Sequence, residues 1–155
     1  MIDRTKSLAV LVSIAAALVL AAAFMPLGEM SVIPWGRNVP GFPMPPSLTV
    51  HLSTNGWNGA VPIAGVDLPW WTVAPLALAA AALAWLAVSP WRPPRFLGPA
   101  LASVGLIQAS LTAAVLVASP SLTVGIGAPL TVAAFSGMVI CSLALAIEIG
   151  PQADK

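Results

Sequence analysis

Residues 96–118 read FLGPALASVGLIQASLTAAVLVA, twenty-three positions without one charged side chain. As a helix at about 1.5 Å per residue, this run covers a hydrocarbon core of about 30 Å. Lipid offers no partner to an unpaired backbone group, so such a run must be a helix or belong to a closed barrel. Three further runs of the same kind, at 8–25, 71–88 and 127–149, leave no room for a barrel. The first of them is broken only by Ser13.

The whole chain agrees with the run. Of its 155 residues, 59% are hydrophobic and only 7% are charged, where a water-soluble domain carries about 25% charge. That excludes a soluble enzyme and a disordered tail. A net charge of +1 leaves no basic patch for a phosphate backbone, so nucleic acid is not an expected partner. The lone cysteine, Cys141, allows no internal disulfide and no cysteine metal cluster.

Arg4 and Lys6 before an apolar run that ends in Ala21, Ala22 and Ala23 also suit a secretory signal peptide. The run of about 17 residues is longer than a usual signal core, so an uncleaved first helix is the expectation. With the N-terminus in the cytoplasm, Arg4, Lys6, Arg92, Arg95 and Lys155 all lie inside and only Arg37 lies outside. That imbalance places both termini and the 89–95 turn in the cytoplasm. Segments 26–70 and 119–126 are then extracytoplasmic. Trp70 and Trp71 mark the outer edge of the second helix, and Trp91 and Phe96 flank the inner turn. The expected fold is an all-α integral membrane protein: one membrane domain over 1–155, four transmembrane helices, N-in and C-in, with a small β-hairpin in the outer loop. The expected location is a bacterial cytoplasmic membrane.

The outer loop holds eight of the sixteen prolines and six glycines, which excludes a long helix there. Within it, Leu48, Val50 and Leu52 alternate with Thr49, His51 and Ser53, the period of a half-buried strand. Thr54 to Gly59 supplies turn residues, and 60–66 is expected to return as a second strand, kept short or at an edge by Pro62. An isolated hairpin is marginal in water. This one has to lean on helix ends, lipid headgroups or a partner chain, with Trp35 and Trp57 as contacts.

Groups with chemistry are few. Gln108 is the most polar residue near the middle of a span, with Ser103, Ser110 and Thr112 nearby. Its expected role is a hydrogen bond to another helix, against a place on a polar path. No Asp, Glu, Lys, Arg or His lies mid-span, which argues against an ion-coupled pump. Glu148, near the inner end of the fourth helix, is expected near Arg92, Arg95 or a partner's basic residue. His51 with Met25, Met30 and Met44 offers soft ligands for monovalent copper, but without tight spacing. No metal, cofactor or catalytic residue is therefore expected, and no hydrolase, kinase, dinucleotide or zincin motif is present.

Small residues at four-residue spacing are plentiful: Ser13, Ala17 and Ala21; Ser110, Ala114 and Ala118; Ala133, Gly137 and Cys141. Such stripes let helix backbones approach closely. The layout of four helices with a β-containing first outer loop resembles claudin-like tetraspan proteins in arrangement, although the paired loop cysteines of those proteins are absent here. The residues point to a non-catalytic accessory or assembly subunit of a larger membrane complex. Its expected partners are other membrane subunits and the lipid bilayer. A small oligomeric carrier or channel for a neutral or apolar solute, and an outer-face ligand or metal sensor using His51, are the competing readings.

Overall fold

The computed structural model describes residues 3–32, 50–55, 57, 60–63, 66–89, 94–118 and 122–149. In chain order the elements are α1 (Arg4–Ala23), β1 (Pro26–Val32), β2 (Val50–Asn55), β3 (Ala60–Ile63) and β4 (Val66–Pro69). A 3-10 turn (Trp70–Thr72) then leads into α2 (Val73–Val88), followed by α3 (Leu97–Ala118), β5 (Leu122–Val124) and α4 (Gly127–Ile149). α1, α3, α4, and α2 together with its 3-10 turn are each long and apolar enough to cross a membrane.

Local chemistry sets the helix limits. α1 starts four residues before the apolar run, and the Asp3 backbone carbonyl accepts its first intrahelical bond, from the Ser7 N–H at 3.1 Å. It ends at Ala23, two residues short of Met25, since Pro26 disfavours helical geometry just before it. α2, α3 and α4 each carry a proline at their third position: Pro75, Pro99 and Pro129. The first turn of a helix tolerates proline, because its backbone N–H groups have no intrahelical acceptor.

The helices form a ring in which α1 packs on α2 and α4, α3 packs on the same two, and α2 and α4 lie across the diagonal. Small side chains fill much of the interior, with Ala9, Ala16, Ala77, Ala80, Ala102 and Ala109 all buried. The largest buried side chains are Trp70, Phe135 and Met138. α3 and α4 meet at a glycine. A Cβ on Gly105 would fall 2.2 Å from Cε1 of Phe135, so the ring lies directly on the glycine.

Five strands gather at one end of the ring, in an arrangement that differs from the expected hairpin. β2 does not pair with the segment after it. Instead it runs antiparallel to β1, with Val32 opposite Val50 and Met30 opposite Leu52. β5, in the link between α3 and α4, pairs antiparallel with the other edge of β1, so the three-stranded order is β2-β1-β5. β3 and β4 form a separate antiparallel pair, with Pro62 opposite Asp67. The sheet is thereby stitched to the helices through both links. Gly125 makes this possible: its N–H donates to the Leu27 carbonyl at 2.8 Å, and a Cβ there would stand 2.0 Å from the Pro26 carbonyl oxygen.

Candidate functional site

Most of the small-residue stripes lie on the perimeter of the ring, whereas Ser13 faces α2 and accepts from the Trp85 indole N–H at 2.8 Å. On α4, Ala133 is exposed, and a Cβ added at Gly137 would meet no atom within 4 Å. Cys141 is half-buried at the edge of the core, with a free thiol. On α3, Ser110, Ala114 and Ala118 are exposed, as are Ala17 and Ala21 on α1. The interior of α4 uses a different face, running through Phe135, Met138, Ser142 and Leu145. The outward face of α4 is thus low around Gly137 and bounded by the exposed isoleucines Ile140 and Ile147. Backbone-to-backbone approach is open there to a neighbour outside the chain.

Gln108 has its amide engaged. Its Nε2 donates to the Thr72 hydroxyl, in the turn before α2, and that hydroxyl donates to the Pro69 carbonyl at 2.7 Å. Linked hydrogen bonds of this kind reinforce one another in an apolar setting. They tie the middle of α3 to the start of α2. Ser103, in the same helix, donates to the Pro99 carbonyl one turn back at 2.8 Å.

At the strand-bearing end, Trp57 is exposed and its ring lies 5.6 Å from that of Phe24, the exposed residue that closes α1. The two rings form an aromatic patch beside the sheet. His51 sits in β2, opposite Ser31 of β1. Trp35, Met44 and Arg92 lie outside the described residues. Trp70 is fully buried, although its sequence position suggested only an interfacial ring, and its indole N–H has no acceptor among the described residues.

The opposite end carries charge. Glu148 pairs with Arg4 at 3.0 Å, a cation the sequence reading did not offer it; of the two arginines expected near it, Arg92 lies outside the described residues. The pair forms because α1 begins early enough to bring its first residue beside the last turn of α4. Arg95 is exposed, and its guanidinium stands 5.4 Å over the Phe96 ring. Two features escaped the sequence reading. One is the Gly105–Phe135 contact. The other is Ser142, buried with no partner for its hydroxyl among the described residues, whose place on the Phe135–Met138–Leu145 face is readable from helical spacing. Among the described residues, no group of three or more His, Cys, Asp or Glu side chains is placed to hold a metal ion. Comparison of the chain with protein-family models, curated proteins and solved structures gives no match.

Proposed function

We propose that the chain is a non-catalytic accessory or assembly subunit of a larger membrane protein complex, docked through the outward face of α4. The observation that carries this reading is the open space over Gly137, flanked by exposed Ala133. Small residues inside a helix ring need no explanation beyond packing within the ring, whereas a glycine facing outward leaves a notch that another helix fills. The aromatic patch of Phe24 and Trp57 is a second contact on the same partner.

In this reading the helices lie in a cytoplasmic membrane with both termini inside. Support comes from Arg4, Lys6 and Arg95, which share the end of the ring opposite the strands. The strands are then extracytoplasmic. The test is Gly137→Ile in the full-length chain. The expected result is an unchanged thermal midpoint for the isolated chain, together with loss of partner subunits that co-purify with the wild type in fixed ratio. Retention of those subunits at the wild-type ratio refutes docking through α4.

A further inference from the structure

We draw no further inference here: the strongest candidate, the polar hollow between the first turn of α1 and the last turn of α2, has only the exposed Asp3 and Lys6 as charged groups among its described lining residues, and nothing in the structure shows what covers it.

Discussion

Gly105 and Gly137 are the same residue on neighbouring helices in opposite surroundings, and alanine separates them. At Gly105 the added Cβ falls 2.2, 2.5 and 2.8 Å from three ring carbons of Phe135. Carbon atoms rest about 3.5–4.0 Å apart, so the ring or the helix has to move by about 1 Å. Phe135 is fully buried, so its ring moves only by displacing neighbours. Overpacking of this kind costs about 1–3 kcal/mol. For a chain of this size each kcal/mol is worth about 2–4 °C of melting temperature, read from tryptophan fluorescence on heating in detergent. At Gly137 the new methyl meets nothing, and replacing a mid-helix glycine by alanine gains about 0.5–1 kcal/mol. Gly105→Ala is therefore expected to melt lower than the wild type and Gly137→Ala at or above it. Adding Phe135→Leu to Gly105→Ala recovers part of the loss, because the two sites are in contact. Shifts of the same sign for the two alanine variants, or no rescue by Phe135→Leu, refute the packing between α3 and α4.

Three further substitutions probe other parts of the structure. Gln108→Leu cuts the link to Thr72 and is expected to cost about 0.6 kcal/mol, at most about 1–2, in a steric-trapping or thermal assay. Gly125→Ala drives a Cβ into the Pro26 carbonyl oxygen. It is expected to break the pairing of β5 with β1, seen as faster hydrogen exchange at Glu29 and Thr123, whose backbone groups face each other across that pair. Glu148→Gln removes a bridge whose arginine is largely exposed, so the stability read from thermal unfolding is expected to stay within about 1 kcal/mol of the wild type.

Much of the helical layout was legible in the sequence, and the strands were not, for physical reasons. The four spans announce themselves because runs such as 96–118 carry no charge at all. Prolines 75, 99 and 129 add little noise, since each falls in a first turn. β2 was visible through its alternation of apolar and polar residues. Its partner was not, because β1 opens on Pro26 and contains Gly28, both poor strand formers. β5 is only three residues long, too short for any period to show. Pairing across the gap between α1 and α4 is a non-local property that no single-segment pattern carries. The small-residue stripes were equally plain, yet which of them faced outward depended on how the ring closes. For Gly137, only the packed structure gives that answer.

The most direct measurement is the mass and composition of the intact particle, purified in mild detergent through a C-terminal tag. Docking through α4 predicts unrelated membrane subunits in fixed ratio with the chain, all lost together in Gly137→Ile while the chain itself stays folded. A lone monomer, or a symmetric assembly of this chain only, contradicts the accessory-subunit reading.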